Sequence, residues 1–176
     1  MTKKVEVEWK QEVVTEIVRV KQIVMERPIQ YQDTIASTQE AGRFGVSEIG
    51  DEAQEVVLVV ILNTKNKINA IHRVFTGSLN SSVAHPREIF RSALLNNGAR
   101  ILVYHNHPSC NTEPSEADLI FTKRIEEAGS ILGIDLLDHI IVSGKEWLSL
   151  REYAFYKPIK QSSGGNEKIP RSIFYL

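Results

Sequence analysis

The run Glu55-Val-Val-Leu-Val-Val-Ile-Leu-Asn63 constrains this chain more than any other stretch. It is apolar at every position from Val56 to Leu62, not at every second one, and mostly β-branched. That pattern predicts a strand buried on both faces, hence a central one. Thr64-Lys65-Asn66-Lys67 reads as a turn, and Ile68 to Thr76 returns as a second strand. Residues 55–76 are therefore a predicted hairpin.

The flanks are read outward from that hairpin. Residues 1 to about 12 are charged and mixed and read as a loose arm or a first edge strand, and Val13 to Met25 is a predicted strand with Val18 and Val20 inward and Arg19 and Lys21 outward. Pairing of this strand between two copies would give a homodimer. Pro28 ends it. Tyr31 to Glu40 is a predicted short helix with Asp33 near its start, and Gly42, Gly45 and Gly50 break the pattern into a loop. Downstream, Gly77 to Ser82 is loop. Pro86 stands at the first turn of a helix whose Ile89, Phe90, Ala93 and Leu94 are spaced for one buried face. Asn97-Gly98 stops it. Arg100 to Tyr104 is a short buried strand, Pro108 to Pro114 a rigid loop, and Ser115 the N-cap of a helix running to Leu132. Ile134 to Val142 is a strand, Ser143-Gly144 a turn, Trp147 to Leu150 a closing strand and Tyr153 to Tyr156 a helical turn. The expected organisation is an arm over 1–45, one domain over 46–156 and a flexible tail over 157–176, with a linker at 161–166.

Composition excludes several classes. A net charge of −1 gives little support to a chain built to grip nucleic acid by its phosphates. A single cysteine forbids an intrachain disulfide and suits a reducing compartment, so a cytoplasmic location is expected. No apolar run approaches ~20 residues, so no membrane span is expected. The opening MTKKVEVEWK lacks the apolar core of a signal peptide.

The chemistry concentrates in His105-Asn-His-Pro-Ser-Cys-Asn-Thr-Glu-Pro-Ser-Glu-Ala-Asp118. Residues two apart on a strand point to one side, so His105 and His107 aim at one point. Asp118, at the third position of the helix after Ser115, returns a carboxylate to the same place. His, His and Asp suit zinc with one coordination position open, the mark of a catalytic site. Hydrolysis also needs a proton shuttle outside the ligand set. Glu55 is the candidate by its position at the mouth of a central strand, with Glu52 and Glu88 as rivals. Asn106 points away from its neighbours and is expected to anchor a loop. His139, between apolar residues, reads as a satisfied core residue or as a group orienting a ligand. His72 and His85 read as surface or loop residues.

These residues bear a family resemblance. His105-x-His107-x7-Ser115-x2-Asp118 with an upstream glutamate resembles the JAMM motif of JAB/MPN metallopeptidases. Glu55-Val-Val, Pro86-Arg-Glu-Ile-Phe, His105-Asn-His-Pro-Ser, Pro114-Ser-Glu-Ala-Asp and Leu137-Asp-His-Ile-Ile resemble the RadC family in particular, over about residues 45–152. The resemblance implies an α/β fold of three layers, a mixed curved sheet flanked by helices, related to that of cytidine deaminases. It implies Zn2+ on His105, His107 and Asp118 with a water as fourth ligand, Glu55 as general acid and base, and Ser115 as a hydroxyl that stabilises the oxyanion. A deaminase itself is excluded, since its H-x-E and P-C-x-x-C are absent. The chain departs from the RadC pattern at Cys110, where glycine is usual, and in its first 50 residues, which carry no helix-hairpin-helix signature. It resembles a short form without that domain. The expected function is zinc-dependent hydrolysis of an amide or isopeptide bond in a peptide or protein. The alternative is a non-enzymatic binding module acting with a protein or DNA partner.

Overall fold

Val56–Leu62 forms strand β1, and all seven of its residues are buried. A computed structural model describes residue 17 and residues 22–26, 34–77 and 85–156. The chain divides into Met1–Gln30 and Tyr31–Leu176, and the architecture below is that of the second unit. In chain order its elements are α1 (Thr38–Ile49), β1, β2 (Ile68–Thr76), α2 (Pro86–Leu95), β3 (Arg100–Asn106), α3 (Glu116–Leu132), β4 (Asp135–Ser143), β5 (Glu146–Ser149) and α4 (Leu150–Tyr156). The five strands make one mixed sheet in the order β2-β1-β3-β4-β5. Only β3 and β4 run parallel, joined by α3 as their crossover.

The two-sided burial of β1 follows from a layer on each face. On one face Val57, Val59 and Ile61 of β1 and Ile101 and Val103 of β3 pack with Ile89, Phe90 and Ala93 of α2 and Ile125 of α3. On the other, α1 lies over β3, β4 and β5, with Phe44 set against the ring of Tyr104 at 6.0 Å. Because β1 and β3 pair with Val57 opposite His105, continuing the register puts Glu55 opposite His107. The mouth of the site is thus the shared end of β1 and β3, on the α2–α3 face.

The helix expected over Tyr31–Glu40 lies later, at Thr38–Ile49, and the loop expected at Gly42 and Gly45 is its interior. Ser37 caps it, its hydroxyl oxygen accepting the Glu40 N–H. The glycines serve proximity to the sheet. A Cβ on Gly42 would run into the Trp147 ring, and one on Gly45 would lie 2.6 Å from Cδ1 of Tyr104. We expect Gly42→Val to lower stability by roughly 2–3 kcal/mol through overpacking, read as a lower urea midpoint. An unchanged midpoint would mean that the Trp147 contact yields freely.

Other expectations shift. Leu94 is 55% exposed, because the buried stripe of α2 is only as wide as Ile89, Phe90 and Ala93. His72 lies within β2 and is half-buried, not on a loop. Of the strand expected over Val13–Met25, residue 17 and residues 22–25 carry no strand pairing, and Ile17, Ile23, Val24 and Met25 are exposed. β-Branched composition favours a strand only where a sheet receives it. Val18, Val20, Arg19 and Lys21, the arm over 1–12, Pro28, the loop past Gly77, and the linker and tail beyond Tyr156 lie outside the described residues. No helix among the described residues is long and apolar enough to cross a membrane.

Candidate metal centre

His105 and Asn106 end β3, both buried, and the backbone N–H of His107 donates to the carbonyl of Val142 at 2.7 Å, so the strand direction holds through both histidines. The N-terminus of α3 meets them. Ser115 and Asp118 form a capping box: the Asp118 N–H donates to Ser115 Oγ, and Asp118 Oδ2 accepts the Ser115 N–H at 2.8 Å and its hydroxyl at 2.7 Å. The carboxylate is thereby locked with its other oxygen toward the strand.

The three donor groups converge. His105 Nε2 lies 2.9 Å from His107 Nε2 and 3.2 Å from Asp118 Oδ1, and His107 Nε2 lies 3.5 Å from Asp118 Oδ2. Among the described residues these are the one trio of ligating groups gathered within 4.8 Å. Zinc bonds of about 2.0–2.2 Å in a tetrahedron separate ligand atoms by about 3.3–3.6 Å, and the spacings here, 2.9–3.5 Å, lie within a few tenths of an ångström of that. The donor set also demands a cation. His107 Nδ1 lies 2.7 Å from the carbonyl of Asn111, which only accepts, so in the neutral ring Nε2 carries a lone pair. A lone pair, a second imidazole and a carboxylate at these distances repel unless a metal or a proton lies between them. In the metal-free site the proton serves. The Asp118 hydrogen bond raises the pKa of His107 above its ordinary value, against burial and with help from Asn111. Burial pushes Asp118 up, but the imidazoles of His105 and His107 beside it and the Ser115 hydroxyl outweigh that and hold it far below the usual carboxylate range.

Glu55 is half-buried and lines one cleft of about 250 Å³ with His107, Pro108, Ser109, Ser115, Ala117 and Asp118. Asn106 holds it there. Pointing away from the histidines, the Asn106 amide accepts the Val56 N–H at 2.7 Å and donates to the carbonyls of Glu52 and Gln54 at 3.1 and 3.0 Å. The loop that Asn106 anchors is the one that carries Glu55. The rivals are engaged elsewhere: Glu52 pairs with Arg73 at 2.6 Å, and Glu88 with Arg91 at 2.7 Å. His85 caps α2, its Nδ1 accepting the Arg87 N–H. Cys110 is exposed and takes φ 60°, the left-handed region that favours glycine.

Two groups behind the site were undervalued by sequence. His139 on β4 is 1% exposed and meets His105 Nδ1 with its Nε2 at 2.7 Å. Beside it, Asp138 accepts the N–H groups of His139 and Arg151 on Oδ1 and the Ser149 hydroxyl on Oδ2. Burial outweighs these bonds and pushes its pKa up to about 6 from 3.8. An acid with a raised folded pKa stabilises the fold below its unfolded pKa and loses that contribution as pH climbs through the folded one. A gap of this size is worth about 3 kcal/mol. The stability of the wild type relative to Asp138→Asn should therefore fall by roughly 2–2.5 kcal/mol of that between pH 4 and pH 7.5. Parallel pH profiles from urea unfolding would refute it.

A family model, the RadC-like JAB domain, matches residues 35–155, the whole span from α1 to α4 bar its last residue. The chain belongs to the RadC-like JAB domain family. It is similar to the UPF0758 protein of Enterococcus faecalis (strain ATCC 700802 / V583), 48% identical over 122 residues, which is 69% of this chain and 53% of the relative. A UPF0758 protein of Latilactobacillus sakei subsp. sakei (strain 23K) is 43% identical over 136 residues, 74% of this chain and 61% of the relative. One of Clostridium beijerinckii (strain ATCC 51743 / NCIMB 8052) is 48% identical over 118 residues, 67% of this chain and 52% of the relative. The chain thus spans between half and two thirds of the length of these three relatives. The sheet of β1–β5 with helices on both faces is consistent with the JAB/MPN fold expected from the motifs.

Proposed function

We propose that this RadC-like JAB domain is a zinc-dependent hydrolase that cleaves an amide or isopeptide bond in a peptide or protein. The observation that carries the reading is the placement of Glu55, a carboxylate outside the ligand trio, in the same cleft as His107 and Asp118. His105, His107 and Asp118 would hold the ion. Bound there, zinc would supply a Lewis acid and a water acidic near neutral pH.

The remaining steps belong to the chain's own groups. Glu55 takes the proton from the attacking water and delivers it to the leaving nitrogen. The open cleft admits an extended chain past the small side chains of Ser109 and Ala117. Ser115 stands at its edge. Its hydroxyl proton lies on Asp118 Oδ2, so donation to an oxyanion requires that proton to swing into the cleft, while the Ser115 N–H keeps its bond to the same oxygen. Ser115 Oγ would then keep accepting the Asp118 N–H as the helix cap while its own proton serves the oxyanion.

Metal analysis of protein purified without chelators tests the proposal. We expect about one zinc per chain in the wild type and almost none in His105→Ala. Near-zero zinc in the wild type would sink the proposal.

A further inference from the structure

We propose that His139 and Thr122 are positioning residues that decide which ring nitrogen of His105 carries its proton. The buried contacts form a chain. His105 Nδ1 lies 2.7 Å from His139 Nε2, and His139 Nδ1 lies 2.6 Å from Thr122 Oγ1. Thr122 Oγ1 in turn lies 2.6 Å from the backbone carbonyl oxygen of Asp118.

One assignment satisfies all three contacts. A carbonyl only accepts, and a hydroxyl has one proton to give. The Thr122 proton therefore goes to the Asp118 carbonyl. His139 Nδ1 must then be the donor to Thr122 Oγ1. A neutral imidazole has one N–H, so His139 Nε2 is an acceptor, and the N–H it receives is that of His105 Nδ1. His105 is left with a bare Nε2 facing His107 and Asp118. The reverse order would set two oxygen lone pairs 2.6 Å apart at the Asp118 carbonyl.

The surroundings hold this order. His139 is 1% exposed, so a second proton on its ring would be a charge without solvent. Phe121 packs edge-on against the His139 ring at 5.5 Å and restricts its rotation. A ligand histidine ordinarily gives its outer N–H to a carboxylate, a backbone carbonyl or water. Here it gives that proton to a second imidazole, whose own proton is fixed by a hydroxyl anchored on the residue that supplies Asp118. The chain ties β3, β4 and α3 together behind the trio. Its consequence for a metal rests on the zinc reading proposed above.

The experiment pairs two readouts on chelator-stripped protein at pH about 8, well above the ordinary imidazole value of about 6.5. Side-chain 15N shifts, with the His105 signals assigned by their loss in His105→Ala, report which nitrogen is protonated. Competition against a chromophoric chelator reports zinc affinity. Thr122→Val keeps the side-chain shape and removes the oxygen, so it avoids the folding risk of replacing His139. In the wild type His105 should show the Nδ1–H form. Thr122→Val should shift it toward the Nε2–H form and weaken zinc 10–100-fold, and Thr122→Ser should restore both. An Nε2–H His105 in the wild type, or Thr122→Val with wild-type shifts and zinc affinity, overturns the inference. If the wild type takes up no zinc while Thr122→Val still changes the His105 tautomer, the positioning role stands and the zinc reading falls.

Discussion

Glu55→Gln is expected to keep the fold and the zinc and to lose roughly 10²- to 10⁴-fold in hydrolysis, the usual contribution of a positioned acid and base. The substitution preserves size and removes only the titrating oxygen. The segment around it is held through backbone groups, by Asn106 on the carbonyls of Glu52 and Gln54 and on the Val56 N–H. A neutral amide at 55 leaves those backbone bonds in place. Controls come from the rivals. Glu52→Gln breaks a surface pair with Arg73, and Glu88→Gln one with Arg91 on α2, interactions worth about 0–1 kcal/mol each. Neither should change turnover of a mixed peptide library. A Glu55→Gln enzyme as fast as wild type, or a Glu52→Gln enzyme as slow as the expected Glu55→Gln, would overturn the assignment.

What the sequence made legible was local or periodic. The apolar run of β1, the alternation that brings His105 and His107 to one side, and the Ser115–Asp118 cap are all set within a few residues, and all three are present. What it hid depends on partners far along the chain. Gly42 and Gly45 look like helix breakers until Trp147 and Tyr104 are placed against them. The better local signal is Ser37-x-x-Glu40, an N-cap pattern. The chain from His105 through His139 to Thr122 requires the β3–β4 register and the packing of α3, neither of which periodicity supplies. A lone histidine in an apolar strand was the one trace it left. Cys110 shows the converse: the departure from the usual glycine was legible, and its φ of 60° is the left-handed region that favours glycine.

Asp118→Asn should weaken zinc by more than the 10–100-fold that a partner beyond the ligands is worth, while leaving the metal-free protein about as stable as before. The asymmetry of the capping box gives the reason. One oxygen of residue 118 must face the Ser115 N–H and hydroxyl, and an asparagine places its carbonyl oxygen there. Its amide nitrogen then falls at the Oδ1 position, 3.2 Å from His105 Nε2. An N–H there donates to the lone pair that zinc would otherwise take, so the variant fills the site without a cation. Loss of a negative charge in the first turn of α3 costs about 0.3–1 kcal/mol. The new hydrogen bond contributes about 0.5–1.5 kcal/mol, so the two offset. The wild type, by contrast, gains about 4 kcal/mol in zinc at a thousand times its Kd. Thermal unfolding with and without added zinc reads this directly: a large upward shift in Tm for the wild type, and almost none for Asp118→Asn from a similar metal-free Tm. If Asp118→Asn kept zinc within tenfold of wild type, residue 118 would not be a ligand. If its metal-free fold collapsed, the carboxylate would be needed for the helix cap more than for the ion.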